Sequence, residues 1–197
     1  MHGAYVYHKG GERLDIEETF DIGEISSSAR RLGFGHTLRV NVLERPNHKV
    51  VDLTLFNNQL QVTVQYHFNG YSWRAYHYRG IEYTEHDLPT TAIFFPLMRC
   101  YTGKMIRHIV AQGGMATVIV PDIRDPYNRD TVLLPLFEER TAQKLSEETI
   151  LIGDQTYQTE VFSYIGGAYD DAARFWLVGD MLVRYVFQDW DVELLES

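Results

Sequence analysis

The chain has 197 residues, of which 45% are hydrophobic and 13% aromatic, and its formal net charge at pH 7 is −9. This length and composition suffice to bury one ample core, and no linker or low-complexity stretch divides the chain, so we expect a single domain over residues 1–197. Because the charge is negative and the basic residues are dispersed, we expect neither nucleic acid nor electrostatic membrane docking.

The first part of the chain has the pattern of antiparallel strands joined by turns. Gly10-Gly11 interrupts the mildly alternating residues 5–20, which predicts an opening hairpin. Two further strands are predicted over residues 37–44 and 50–56, and Arg45-Pro46-Asn47 between them is typical of a turn. This succession indicates a meander.

The clearest strand is Leu60–Phe68, where apolar and polar side chains alternate with the period of two that a half-buried strand requires. Asn69-Gly70 predicts a two-residue turn, which would set the register of the hairpin that follows. One face of the hairpin is then aromatic and apolar, and the other is polar. The predicted pairs on the apolar face are Phe68 with Tyr71, Tyr66 with Trp73, Val64 with Ala75, and Val62 with His77.

The apolar spacing becomes helical between Pro96 and Gln112, and Gly113-Gly114 follows as a stop. Pro96 suits a first helical turn, whereas Gly103 weakens the middle of a helix by about 1 kcal/mol relative to Ala. We predict one long helix over Pro96–Gln112. The apolar residues that recur every four positions are Leu97, Tyr101, Met105 and Ile109.

Strand patterns resume after the helix, over residues 116–120 and 132–137. Residues 141–148 are interpreted as a short helical turn. Gly153-Asp154 then predicts a tight turn that pairs the residues before it with those after it.

Gly179-Asp180 predicts the last hairpin. Both of its faces are largely apolar in the predicted register, so we expect both to be covered, one by the helix and the other by a packed core or a ligand cavity. The predicted pairs are Trp176 with Val183 and Arg174 with Tyr185 on one face, and Phe175 with Arg184 and Leu177 with Leu182 on the other.

These elements predict a mainly β fold, a single curved antiparallel sheet in the form of a half-barrel or open barrel, with the long helix packed on its concave face. The Tyr- and Trp-rich meander, the helix from near Pro96 and the closing Phe175–Tyr185 hairpin resemble the half-barrel of bacterial lipoprotein-carrier and glycolipid-binding-type domains. The resemblance implies a hydrophobic cavity for an acyl chain or a similar lipid.

A lone cysteine, Cys100, excludes an internal disulfide framework and is compatible with a reducing compartment. Residues 1–20 contain no apolar run of the length that a signal peptide or a membrane span needs. We therefore expect a cytoplasmic protein; an exported chain trimmed of its leader would have the same sequence.

No sequence motif predicts a metal or a cofactor. His-X-His, His-Glu-X-X-His, P-loop and dinucleotide-binding patterns are all missing from the sequence. Cys100 and His108 would lie about 12 Å apart along the predicted helix, which is too far for a catalytic dyad. Asp122, Arg124 and Asp125 are interpreted as solvated loop charges.

These patterns favour a non-catalytic protein that binds a lipid-like or other hydrophobic small molecule. Arginine is costly to bury alone, so Arg99, Arg174 and Arg184 are each expected to have a partner, either internal or the head of a ligand. One alternative is an isomerase, cyclase or hydrolase that uses His108 or Asp122 as acid or base; another is a subunit of a homodimer or larger assembly. The predicted ligand-binding residues are Trp73, Phe94, Phe95, Met98, Tyr101, Trp176 and Tyr185 as the apolar wall, with Arg99 or Arg184 as the polar anchor.

Overall fold

The computed structural model describes residues 1–79, 82–89 and 91–196 of the chain. Within these residues the fold is mainly β, and the strands form one large, curved, unclosed sheet. The strands are β1 (His2–Lys9), β2 (Glu12–Arg13), β3 (Glu17–Ile22), β4 (Ser26–Gly33), β5 (His36–Arg45), β6 (His48–Phe56), β7 (Gln61–Phe68), β8 (Trp73–Arg79), β9 (Glu82–Leu88), β10 (Ile93–Phe94), β11 (Met115–Pro121), β12 (Pro135–Ile152), β13 (Gln155–Ile165), β14 (Arg174–Val178), β15 (Met181–Phe187) and β16 (Trp190–Glu196).

Two meanders meet in the middle of the sheet, where β16 pairs antiparallel with β1. From there, one arm runs through β3 to β9 and the other runs back through β15 to β10. The predicted antiparallel sheet is confirmed, with one exception at the edge, where β10 pairs parallel with β11. The strands β9 and β10 follow one another along the chain but lie at opposite edges of the sheet.

The opening hairpin is present, since His8 pairs with Arg13 and Lys9 with Glu12 around Gly10-Gly11. The strand β4, by contrast, was not predicted from the sequence. Its three successive serines and two arginines show no alternation of apolar and polar residues. The side chains that it buries are Ala29 and the charged Arg31. Because a charged residue occupies a buried position, the sequence lacks the apolar–polar alternation that indicates a strand.

The register predicted for the β7–β8 hairpin is wrong by two residues, because Phe68 pairs with Trp73 rather than with Tyr71. Asn69 closes a four-residue loop instead of a two-residue turn. Its Oδ1 accepts hydrogen bonds from the backbone N–H groups of Tyr71 at 3.0 Å and Ser72 at 2.9 Å. A shift of two leaves each side chain on its predicted face, so Tyr66 remains on the buried face.

The helical segment is shorter than predicted. It consists of a 3-10 turn, Arg99–Tyr101, followed by α1, Thr102–Ala111. Leu97 has a φ of 66° and Met98 has extended backbone, so neither residue continues a helix towards Pro96. No other helix occurs in the described ranges, and none there has the length and apolar character that a transmembrane helix needs.

The predicted helical turn over residues 141–148 is wrong, because these residues lie inside the 18-residue strand β12. This strand pairs with both β11 and β13, and a shift in register between Lys144 and Ser146 marks an irregularity in it. Along residues 141–152 the strand pairs with β13, and this pairing outweighs the weak local preference of a polar segment. The Gly153-Asp154 turn is confirmed, since Ile152 pairs with Gln155.

The last hairpin has the predicted Leu177–Leu182 pair, but its register shifts by one residue between Trp176 and Leu177. Beyond the shift, Phe175 pairs with Tyr185 and Trp176 pairs with Arg184. The buried face carries Phe175, Leu177 and Tyr185, whereas Trp176 and Arg184 are only half-buried on the other face. The prediction that both faces are apolar and covered is therefore wrong.

The helix α1 lies against β12 and β15 and buries Met105, Ile106 and Ile109. Its N-terminal end meets the β14–β15 turn, where a Cβ on Gly103 would clash with the carbonyl oxygen of Asp180. Arg107 strengthens the contact by donating a hydrogen bond to the carbonyl oxygen of Gly179. The helix is thus held at a fixed position against the sheet.

Candidate functional site

Two adjoining, partly enclosed cavities lie between α1 and the sheet. The first has a volume of about 430 Å³ and the second of about 550 Å³. Four residues line both of them: Glu44, Lys49, Tyr101 and Lys104. We call the two cavities, together with these four residues, the helix–sheet cleft.

The first cavity has a largely apolar wall supplied by strands from both arms of the sheet. Its apolar side chains include those of Ile22, Ile25 and Val42 on one side and Val178, Met181 and Val183 on the other. Tyr101 lines both this cavity and the second, and its hydroxyl hydrogen-bonds to the Ser27 hydroxyl at 2.8 Å. The wall therefore suits an apolar molecule.

The second cavity has an aromatic floor and a basic rim. Trp73 lies between Phe68 and Phe94, with ring-centroid distances of 4.9 Å and 5.5 Å. The basic side chains that line this cavity are Arg45, His48, Lys49, Lys104 and His108. Glu44 is the sole carboxylate among its described lining residues.

The charged groups shared by the two cavities form one cluster. Glu44 and Lys49 are cross-strand partners on β5 and β6, with the turn at Asn47 between them, and the Lys49 Nζ lies 3.6 Å from Glu44 Oε2. Lys104 reaches the same carboxylate from the helix, donating at 2.9 Å and 3.1 Å. One carboxylate therefore faces two ammonium groups.

The electrostatics of the cluster follow from this imbalance. Burial raises the pKa of the Glu44 carboxyl, but Lys49 and Lys104 outweigh it, and its pKa lies below the ordinary value. Burial lowers the pKa of Lys49, Lys104 lowers it further, and Glu44 opposes both without restoring the ordinary value. The Lys49 side chain is 19% exposed and that of Lys104 is 54% exposed. The positive charge of Lys49, the more buried of the two, is therefore the one that Glu44 does not fully balance.

Some of the residues predicted to bind a ligand come together in this cleft. Trp73, Phe94 and Tyr101 line the second cavity. Phe95 and Met98 are instead buried in the core, Met98 with no exposed surface, and they line neither of the two cavities.

Trp176 and Arg184 lie on the opposite face of β14 and β15 and line neither cavity. The Trp176 Nε1–H donates to a Glu148 carboxylate oxygen at 3.0 Å. Arg184 donates to both carboxylate oxygens of Asp191, at 3.0 Å and 2.5 Å. The partner of this arginine is thus internal to the protein.

Arg99 and Tyr185 belong to a polar cluster in the interior, away from the cleft. The Arg99 guanidinium donates to the Tyr185 hydroxyl at 3.2 Å. Glu18, which has no exposed surface, accepts a hydrogen bond from the Tyr7 hydroxyl and another from the Arg99 backbone N–H, each at 2.5 Å. Arg31 completes the cluster, 3.8 Å from Glu18. Arg99 therefore also has internal partners.

The candidate acids, bases and nucleophiles do not form a catalytic group. His108 is exposed at the rim of the second cavity, whereas Asp122 lines neither cavity and accepts hydrogen bonds from Arg124. Cys100 is buried beside the first cavity, and burial raises its pKa so that the thiol stays protonated. No three His, Cys, Asp or Glu side chains in the described part of the chain are grouped to hold a metal ion.

Sequence reasoning missed the charged cluster of Glu44, Lys49 and Lys104. A partial signal was present, since Arg45, His48 and Lys49 are concentrated at one turn of an acidic chain. The position of Lys104 beside that turn depends on how the helix docks, which no local pattern shows.

No protein-family model matches the chain, and neither the curated proteins nor the solved structures include a significant match to it. What the cleft binds is therefore inferred from its shape, lining and charge.

Proposed function

We propose that this protein binds a hydrophobic small molecule in the helix–sheet cleft. The observation that carries the proposal is the pair of adjoining cavities between α1 and the sheet, with volumes of about 430 and 550 Å³. Small-molecule sites in proteins typically occupy about 300 to 1,000 Å³ and combine apolar walls with a few polar groups. Each of the two cavities has this size and this lining.

The position of the cleft also supports a binding role. Its wall includes side chains from the β3–β6 part of the first arm, from the β14–β15 hairpin and from the helix. The cleft therefore lies where separate elements meet rather than on one flat face. The aromatic floor formed by Phe68, Trp73 and Phe94 offers a large contact area at a low cost in side-chain entropy. A rigid apolar surface of this kind favours binding of an apolar body.

The first experiment is native mass spectrometry of the purified chain, followed by denaturing extraction of any bound small molecule. A co-purified apolar molecule would support the proposal and identify its chemical class. In parallel, the neutral dye Nile red should bind with a rise in fluorescence, because an apolar cavity excludes water from the dye. Absence of both an extracted molecule and dye binding would overturn the proposal.

Two variants locate the binding. Ile25→Glu places a carboxylate in the wall of the first cavity, and Ile93→Glu places one in the wall of the second. We expect at least one of them to weaken Nile red binding by about tenfold or more, since an ionised group in an apolar contact is strongly unfavourable. Ile165→Glu is the matched control, because Ile165 is exposed and lines neither cavity. Equal effects of all three substitutions would argue that the dye binds outside the cleft.

A further inference from the structure

We propose that the hydrophobic ligand carries an oxyanionic head, a carboxylate or a phosphate, which binds between the ammonium groups of Lys49 and Lys104. This inference rests on the proposed function, because it assigns chemistry to one part of the same cleft. It concerns the point at which the two cavities adjoin, where both lysines and Glu44 line the wall.

The first argument is the sign of the local charge. The chain as a whole carries a formal charge of −9, yet the second cavity is lined by two lysines, an arginine and two histidines against a single carboxylate among its described residues. A basic rim on an acidic protein concentrates positive potential at the second cavity and draws anions to it. A neutral or cationic head would gain nothing from this arrangement.

The second argument is the unequal pairing within the cluster. Glu44 lies within 3.6 Å of Lys49 and 2.9 Å of Lys104, so one negative charge serves two positive ones. Lys49 is the more buried of the two lysines, and its partly desolvated ammonium is the less well compensated. An anionic head would supply the missing charge with charge-assisted hydrogen bonds.

The third argument is the continuity of polar and apolar surface. From the lysine pair, the apolar wall of Ile25, Val42 and Met181 extends into one cavity, and the aromatic floor at Trp73 extends into the other. A head held by Lys49 and Lys104 therefore has apolar surface on either side for its body. An amphipathic anion matches this distribution, whereas a free inorganic anion would leave the apolar walls unused.

The test is a calorimetric comparison of dodecanoate, dodecyl phosphate and 1-dodecanol, which share one chain and differ in the head. We expect both anions to bind at least tenfold more tightly than the alcohol, and acetate and inorganic phosphate to bind far more weakly than either. The preference should weaken as salt is raised, because part of the cluster is exposed and is screened.

Variants identify the groups that hold the head. Lys49→Met and Lys104→Met should each reduce the anion-to-alcohol preference by about tenfold, while the affinity for 1-dodecanol changes little. Glu44→Gln should have the opposite effect and tighten dodecanoate binding, because it removes the carboxylate that competes for the same ammonium groups. Lys144→Met is the matched control, since Lys144 is paired with Glu147 and Glu160 on β12 and β13 and lines neither cavity.

The outcomes separate this inference from the proposed function. Equal binding of dodecanoate and 1-dodecanol, or an anion preference that survives both lysine substitutions, would overturn the anionic head and leave hydrophobic binding intact. Failure of all three dodecyl compounds and of Nile red would overturn both proposals. Acetate or phosphate binding as tightly as the dodecyl anions would retain the anion site but contradict a hydrophobic ligand.

Discussion

Glu18 shows how a single buried charge organises the interior of this protein. The carboxylate is fully buried, and Tyr7, Arg31 and the Arg99 backbone surround it. Burying an ion is unfavourable unless several partners replace its water. Here hydrogen-bond donors from β1 and from the 3-10 turn converge on the carboxylate, and the Arg31 guanidinium of β4 forms an ion pair with it. The cluster therefore connects the sheet to the start of the helical segment.

We expect Glu18→Gln to destabilise the fold by about 3 kcal/mol or more, because it leaves the buried guanidinium of Arg31 without its anion. Urea denaturation followed by circular dichroism measures the change. Glu17→Gln is the control, since Glu17 is the exposed neighbour on the same strand, and its effect should stay within about 0.5 kcal/mol. Similar midpoints for the two variants would contradict this account of the cluster.

His36 provides a prediction for pH. Burial and the nearby Arg31 lower its pKa below the ordinary value of 6.5, and the hydrogen bond to the Phe34 carbonyl only partly opposes them. The unfolded chain therefore takes up a proton at this site before the folded chain does, and stability falls as the pH drops below about 6.5. His36→Gln should lose less stability than the wild type between about pH 7.5 and pH 5. Parallel pH profiles for the two proteins would rule this out.

At the scale of elements, the contact between α1 and the β14–β15 turn sets the position of the helix. Gly103 faces the backbone of Asp180 so closely that a Cβ would clash with the carbonyl oxygen and lie 2.8 Å from the carbonyl carbon. Lys104 follows Gly103 directly, so this contact also places its ammonium group beside Glu44. The geometry of the cleft depends on one small residue.

Gly103→Ala should therefore destabilise the protein by about 2 kcal/mol, as expected for overpacking, although alanine favours an isolated helix by about 1 kcal/mol over glycine. Chemical denaturation measures the difference. Ala111→Gly, at an exposed helix position, is the control and should cost at most about 1 kcal/mol through helix propensity. A gain in stability for Gly103→Ala would show that the helix does not dock as described.

At the scale of the whole molecule, contacts join the two meanders both at the centre of the sheet and at its edges. Strand β16 pairs with β1 at its centre, and Gly3 lies opposite Glu196 there. At the edges, Phe94 of β10 pairs with β11 of one arm, and its ring lies 4.4 Å from the Tyr66 ring of the other arm. Neither arm buries its apolar face without the other.

Both arms should then unfold in one transition. Trp73 reports on the first arm, while Trp176 and Trp190 report on the second. Two variants, Trp73→Phe and the double substitution Trp176→Phe with Trp190→Phe, leave tryptophan in one arm only. For each variant, the unfolding curves measured by fluorescence and by circular dichroism should have the same midpoint. If the fluorescence of a variant changed before its circular dichroism, the two arms would unfold separately and would differ in stability.

Much of the β architecture follows from local features of the sequence. Apolar and polar residues alternate from Leu60 to Phe68, and turn residues at Gly10-Gly11, Gly153-Asp154 and Gly179-Asp180 mark hairpins that the structure contains. These signals depend on residues close in sequence, because backbone preferences and side-chain periodicity act within a few residues. The same signals predicted an aromatic face at Trp73.

Only the tertiary structure decided the register of the strands, the pairs they form and the composition of the helix–sheet cleft. The Asn69 loop and the register shift beside Leu177 give strand pairs that differ from the predicted ones. Loop hydrogen bonds and packing across the sheet set the final register. Lys49 and Lys104, from a strand and the helix, meet at Glu44 only because the helix docks against the β14–β15 turn through Gly103. The sequence by itself thus determined a mainly antiparallel β protein with one helix, which it predicted to be longer than the structure shows. The cleft arose from contacts between residues far apart in the chain, which no local pattern encodes.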